Sequence, residues 1–284
     1  PAPDPADLFF DFEADRFAEE EGLEYLFGWC EMRPDGPDDA EGKLPDPPFH
    51  ALWAHDRAGE RRATEVFNDL VMERRRRNPG MHVYHYSPYE PSALLRLTNR
   101  HGTRQAELDE LLRAEVFVDL YAVVRQGIRV SSWSYSIKKL EALYDFGREV
   151  DLKQAVSSMI AYERWIASGD AAILQEIADY NRDDCISTLA LREYLEGCRV
   201  ELVGLLAADG RTDPGRPPLR DGAPTDAQKE IDETVAEVRD RLRASVPAED
   251  EPGGDAPEAR ATRLLADLLG WHRREARSDW FEWY

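Results

Sequence analysis

Leu8-Phe9-Phe10-Asp11-Phe12-Glu13 decides the reading of this chain. Four large apolar side chains in six residues, with no turn former among them, predict a buried strand. Alternate residues of a strand leave the same face, so Asp11, Glu13 and, two further on, Asp15 project together about 6–7 Å apart. Carboxylates crowded in this way repel one another unless a cation lies among them, and a divalent metal ion is one answer. Acids that simply end a strand in solvent are the other, because the first sixty residues hold 17 Asp and Glu against 4 Lys and Arg. A calcium loop of the EF-hand kind fits poorly: Arg16 stands where its turn needs Gly, and Gly22 where it needs a bidentate acid.

Working outward, a second strand is expected over Leu23–Met32, a Pro, Gly and Asp-rich loop between Arg33 and Pro48, and a third strand over Phe49–His55. A helix from about Glu60 to Asn78 puts Val66, Leu70 and Val71 on its inner face, and Asn78-Pro79-Gly80 stops it. Met81–Tyr86 alternates like a strand. Ser87-Pro88-Tyr89-Glu90 opens a helix carrying Leu94, Leu95 and Leu97, and Val116–Val118 is a short fifth strand before Asp119, which reads as the cap of the next helix. To about Ala207 the chain reads mostly helical, ending in a long helix from Ala171 to Glu196. The pattern predicts an α/β fold, a mixed five-stranded sheet flanked by helices, over residues 1–207. Residues 208–225, rich in Pro and Gly, read as a linker. Residues 226–284 read as a helical extension and the start of a further module, with a charged helix over Asp226–Ser245 and another over Glu258–Arg277 bearing Leu264, Leu265, Leu268 and Leu269 as one stripe.

Composition narrows the classes. With 36 Lys and Arg against 57 Asp and Glu, the 284 residues carry a net charge of −21, yet 42% hydrophobic content excludes wholesale disorder. No apolar run approaches the ~20 residues of a bilayer span and no basic segment leads into one at the start, so neither membrane nor export is expected. Cys30, Cys185 and Cys198 are odd in number and widely spaced, which supports neither a disulfide framework nor a zinc site and suits a reducing cytoplasm. The opening Pro-Ala-Pro-Asp-Pro and the closing Trp-Phe-Glu-Trp-Tyr suggest a piece of a longer protein. A strongly acidic chain is repelled by nucleic acid at long range, but a carboxylate site filled with divalent cations inverts the field locally.

Tyr180 and Asp184 stand four apart and so share one helix face. A core Tyr beside a surface acid has the same spacing. Glu90, three after Ser87 with Pro88 between, fits a capping box and is also an acid just past a strand end. In chain order, Asp11-Phe12-Glu13, then His85-Tyr86-Ser87-Pro88-Tyr89-Glu90, then Tyr180-Asn181-Arg182-Asp183-Asp184 resemble the three motifs of the DEDD exonucleases of the ribonuclease-H-like superfamily, in the subclass whose last motif uses Tyr. Tyr86 stands in that family's Asn place and Glu90 in its Asp place. The resemblance runs from about Leu8 to Leu206. Tyr84–Leu95, Phe117–Tyr121, Ser134–Lys138 and Tyr180–Cys185 further resemble bacterial predicted RecB-type nuclease proteins, in which such a domain lies between nuclease and helicase modules.

The resemblance implies hydrolysis of phosphodiester bonds, 3′→5′, in single-stranded DNA more than RNA, with two Mg²⁺ or Mn²⁺ ions. Asp11, Glu13, Glu90 and Asp184 would hold the metal, and Tyr180 would orient the nucleophile, since a phenol of ordinary pKa near 10 is a poor base. Tyr86, Tyr89 and Trp133 are candidates for stacking on bases, and Arg74, Arg75 and Lys138 for phosphate contacts; core packing and a solvated helix face account for the same residues. The alternative function is a degenerate nuclease fold that serves as a nucleic-acid-binding scaffold. The hydrolase reading requires the four acids to meet in one pocket with no Lys or Arg head lodged among them.

Overall fold

The computed structural model describes residues 1–19, 21–33, 46–148 and 158–269. Strand β1 (Leu8–Asp15) pairs antiparallel with β2 (Leu23–Glu31), and β2 with β3 (Phe49–Trp53). Helix α1 (Arg57–Arg77) then returns the chain so that β4 (Val83–His85) lies parallel to β1. Helices α2 (Tyr89–His101) and α3 (Gln105–Arg113) lead to β5 (Phe117–Asp119), parallel to β4, which completes a mixed five-stranded sheet in the order β3-β2-β1-β4-β5. Beyond the sheet come α4 (Leu120–Gly127), the single turn α5 (Ile137–Leu140), a 3₁₀ turn at Glu141–Leu143, α6 (Ser158–Ser168) and the long α7 (Ala171–Ala208).

The period of two along β1 sorts its side chains between two cores. Leu8, Phe10 and Phe12 pack with Phe27 and Trp29 against Ala63, Phe67 and Val71 of α1 and Leu94 and Leu97 of α2. Phe9 faces the other way, into a core with Cys30, Tyr84, Leu120, Cys185 and Leu189 under α4 and α7. Asp11 and Glu13 continue the Phe9 face and are therefore directed at α7. Near the strand end Glu13 pairs with Leu26 but Ala14 with Glu24, so Tyr25 is the extra residue of a bulge. The bulge places Tyr25 with Leu23, Leu26 and Tyr162 of α6, its ring stacked on Tyr162 at 3.8 Å.

Several expectations are corrected in detail. Val66 of α1 is half exposed, and Phe67 is the buried residue, because the inner stripe runs Ala63, Phe67, Val71. The capping box at Ser87 does not form. The Ser87 amide that Glu90 would satisfy donates instead to Asp119 at 3.0 Å, the helix cap is Pro88, and Ser87 adopts φ 135°. Asp119 caps α4 as expected, accepting from the Tyr121 amide at 2.8 Å. Helix α7 continues twelve residues past Glu196. The central part of the loop between Arg33 and Pro48, the end of the last expected helix and the closing aromatic residues lie outside the described residues.

The chain divides into two compact units, Pro1–Asp221 and Gly222–Tyr284. Within the first, the irregular stretch after α7 is tied back by Arg216 to Glu196 and by Arg220 to Glu115. Within the second, α8 (Asp226–Ala244) begins with a capping box of Thr225 and Gln228, and Arg243 reaches Asp267 of α9 (Pro257–Leu268) at 2.6 Å. Among the described residues no helix is long and apolar enough to cross a membrane.

Candidate active site

Asp11 and Glu13 leave β1 toward α7, and Asp184 of α7 meets them: one carboxylate oxygen of each lies within 4.8 Å of the others. Asp11 and Asp184 keep part of their surface open, while Glu13 is buried. The approach of α7 depends on Gly28, the cross-strand partner of Asp11. A Cβ there would lie 1.6 Å from Asn181 Oδ1, so only Gly leaves room for the Asn181 side chain. Asn181 uses that room to donate from Nδ2 to Asp11 Oδ2 at 2.8 Å. Ser158, first residue of α6, donates to Glu13 Oε2.

These donors are neutral and leave the charges uncompensated. Burial, then the neighbouring Asp184, Glu13 and Glu90, push the Asp11 carboxyl well above its ordinary range. Burial likewise pushes Glu13 up to about 8. Burial also raises Asp184, but Arg148 pulls against it, with Nη2 2.7 Å from Asp184 Oδ1. An arginine head therefore does stand at the cluster, contrary to the condition set by the sequence. The same Nη2 lies 2.5 Å from Glu141 Oε1, and Nε donates to both Glu141 oxygens at 2.9 and 3.1 Å. Next to Asp184 on α7, the Tyr180 hydroxyl accepts from Lys138 Nζ at 2.6 Å.

Comparison with known proteins agrees with this arrangement. A family model, RNase_H_2 of the RNase_H superfamily, matches residues 8–196, which spans the sheet, the three clustered acids and most of α7. The chain belongs to the RNase H superfamily. No curated protein and no solved structure gave a match. The RNase H-like fold is a nuclease-type fold, associated with nucleic acid and with divalent metal ions, and three converging carboxylates, two of them held by neutral donors, are a fitting donor set for such an ion.

Among the other expected site residues of this RNase H-like domain, Glu90 lies outside the three-acid cluster. It is buried at the start of α2 with Oε2 3.2 Å from His85 Nδ1 and 3.4 Å from Ser87 Oγ. His85 Nδ1 is also 2.6 Å from the Ser87 carbonyl, and two acceptors about one nitrogen put its proton there. Tyr180 stands beside the cluster, its phenol pushed far up by burial and then by Asp184, Glu13 and Asp11, so it keeps its proton. Lys138 is exposed apart from its bond to Tyr180.

Tyr86 donates to the Tyr135 carbonyl and packs edge-on to Tyr121. Tyr89 donates to Glu24 Oε1 at 3.1 Å and packs against Phe12. Arg74 is engaged with the Ala6 carbonyl and Glu31, and Arg75 with Glu110 and the carbonyls of Arg220 and Asp221. These four side chains hold the fold together and are not gathered at the cluster. Trp133 is 90% exposed. Asp15 turns away to accept from the Phe17 amide at 2.9 Å.

Sequence reasoning missed Asn181, Ser158, His85 and Arg148 as partners of the acids, and Glu141 as the partner of Arg148. For Asn181 a signal existed: Gly28, isolated in an aromatic strand, marks a close approach. Arg148 and Ser158 reach the acids from distant parts of the chain, Glu141 meets Arg148, and none of them leaves a spacing to read.

Proposed function

We propose that this chain is a divalent-metal-dependent 3′→5′ exonuclease of the DEDD tyrosine kind, acting on single-stranded nucleic acid, DNA in preference to RNA, within a larger nuclease and helicase protein. The observation that carries the reading is the meeting of Asp11, Glu13 and Asp184 within 4.8 Å, next to a protonated Tyr180. These three carboxylates would hold Mg²⁺ or Mn²⁺, with Glu90 the fourth acid close enough to act on Asp11. Bound there, such ions supply Lewis acidity, making a water more acidic and stabilising negative charge on a leaving oxygen.

The chain's own residues do the remainder. Tyr180 accepts from Lys138 and retains its proton, so it orients an oxygen by donation and does not act as a base. Lys138, with one of its three ammonium protons on Tyr180, offers the others to phosphate oxygens at the exposed side. Trp133 presents a face for an unpaired base. Two of the observations favour the second reading, a nucleic-acid-binding scaffold: Arg148 on Asp184 and the pairing of Glu90 with His85.

A single strand labelled at its 5′ end separates the readings. Mn²⁺-dependent shortening from the 3′ end with release of mononucleotides, abolished in Asp11→Asn and Asp184→Asn, is the exonuclease outcome. Binding that ignores metal, with the strand left intact, is the scaffold outcome and refutes the enzyme.

A further inference from the structure

The segment from Lys138 to Arg148 reads a single stripe of α7. Lys138 meets Tyr180, Arg148 meets Asp184, and Glu141 and Tyr144 meet Ser187, which is the i, i+4, i+7 series of one helix face. Tyr144 lies 3.0 Å from Ser187 Oγ, and Ser187 donates to Glu141 Oε1, also at 3.0 Å. Glu141 is thus fixed in place whether or not Arg148 is bound to Asp184. Arg148 is fixed less completely. Its Nε and Nη2 are satisfied, but Nη1 is buried with no acceptor. An unmet buried donor is unfavourable, so this arrangement of the guanidinium has a defect that another arrangement can relieve.

We propose that Arg148 is a tethered counter-ion of the catalytic cluster: it sits on Asp184 while no divalent cation is present and withdraws onto Glu141 when one binds. The proposal rests on the metal-site reading of the three acids and deepens it, because it assigns the cluster a built-in competitor. A fork held on both oxygens of Glu141 keeps its charge paired after Asp184 is released, so withdrawal strands no buried charge. Competition of this kind weakens apparent affinity by the fraction of molecules in which the contact is open. A contact closed in about nine molecules of ten makes binding about tenfold weaker.

The test is Mn²⁺ binding by titration calorimetry on the full chain, comparing the wild type with Arg148→Gln and Arg148→Lys. Arg148→Gln is expected to bind Mn²⁺ about tenfold more tightly. Arg148→Lys keeps the charge but lacks the fork that spans Glu141 and Asp184, and should fall between. Unchanged or weaker binding in Arg148→Gln, with a wild type that does bind, overturns the competitor role and leaves the metal site standing. Absence of Mn²⁺ binding in both overturns the two together. Should Arg148→Gln not fold, the wild type still decides: the Arg148 Nε–H resonance, assigned by its loss in Arg148→Lys, is expected to shift on adding Mg²⁺. An unmoved resonance at saturating Mg²⁺ overturns the proposal.

Discussion

Gly28→Ala should be far more damaging than an exchange of Gly for Ala in a strand, and the damage should depend on one other residue. By itself a strand Gly is unfavourable by about 0.5–1 kcal/mol relative to Ala, and no positive φ at Gly28 opposes a side chain. The new Cβ, however, would lie 1.6 Å from Asn181 Oδ1 and 2.7 Å from its Cγ, and Asn181 is fully buried. The amide must swing away and surrender its 2.8 Å bond to Asp11. Overpacking costs about 1–3 kcal/mol and a lost bond to a charged acceptor about 1.5–3 kcal/mol, so the variant should lose roughly 3–5 kcal/mol. Asn181→Ala gives up the same bond but also makes room for the methyl. The double variant should therefore be no less stable than Asn181→Ala alone, a coupling of about 3–5 kcal/mol in the rescuing direction. Urea midpoints at constant slope, followed by near-UV circular dichroism, measure all three. Additive losses in the double variant would refute the claim that Gly28 exists to admit Asn181.

Burial pushes Asp7 up to about 6 from 3.8 and His82 down to about 4 from 6.5, and the His82 amide donates to Asp7 Oδ1 at 2.8 Å. The Asp7 contribution to stability is full below pH 3.8 and lost as pH rises through 6, whereas that of His82 is present above pH 6.5 and lost as pH falls through 4, each about 3 kcal/mol. They oppose each other, so Asp7→Asn should steepen the acid loss of stability and His82→Gln should reverse it, as read from urea midpoints between pH 4 and 6.5; variants that track the wild type would contradict this. Trp133→Ala should weaken binding of a single-stranded oligonucleotide by about 1–3 kcal/mol with thermal stability unchanged, and an unaltered dissociation constant removes Trp133 from the interface. Asp11→Asn should raise the melting temperature in chelator more than Asp184→Asn does, because both relieve repulsion but only the second gives up an ion pair with Arg148.

The sheet was legible because its signals are local. Alternation over Leu8–Glu13 fixes a face, and strand and helix lengths are set by Pro and Gly punctuation. Where local rules failed, tertiary partners had overruled them. Ser87-Pro88-Tyr89-Glu90 has the letters of a capping box, but Asp119, thirty-two residues on, takes the amide that the box needs. Val66 and Phe67 are both plausible inner residues until the packing of Phe67 on Phe10, with ring centroids 4.0 Å apart, chooses between them. Helix α7 runs on through Gly197 and Gly204, past the end expected at Glu196, and nothing lies near either glycine.

The site shows the same division, and it explains why the acids differ. Asp11 with Glu13, and Tyr180 with Asp184, are spacings of two and four, visible in any strand and any helix. The partner of each clustered acid is not visible, because it comes from far along the chain: Asn181 for Asp11, Ser158 for Glu13, Arg148 for Asp184, whereas Glu90 meets its near neighbours His85 and Ser87. The two acids of β1 receive neutral donors, which satisfy oxygen lone pairs without removing charge, whereas the acid of α7 receives a cation. Desolvation and mutual repulsion therefore concentrate on β1, where Asp11 and Glu13 are both driven up, and are relieved on α7. The strand pair is the half of the cluster that demands a cation, and the helix acid is the half that already has one on loan. On the metal-site reading, the strongest attraction for the ion lies with the strand pair, because the ion pair with Arg148 is made by the acid that joins the cluster from α7.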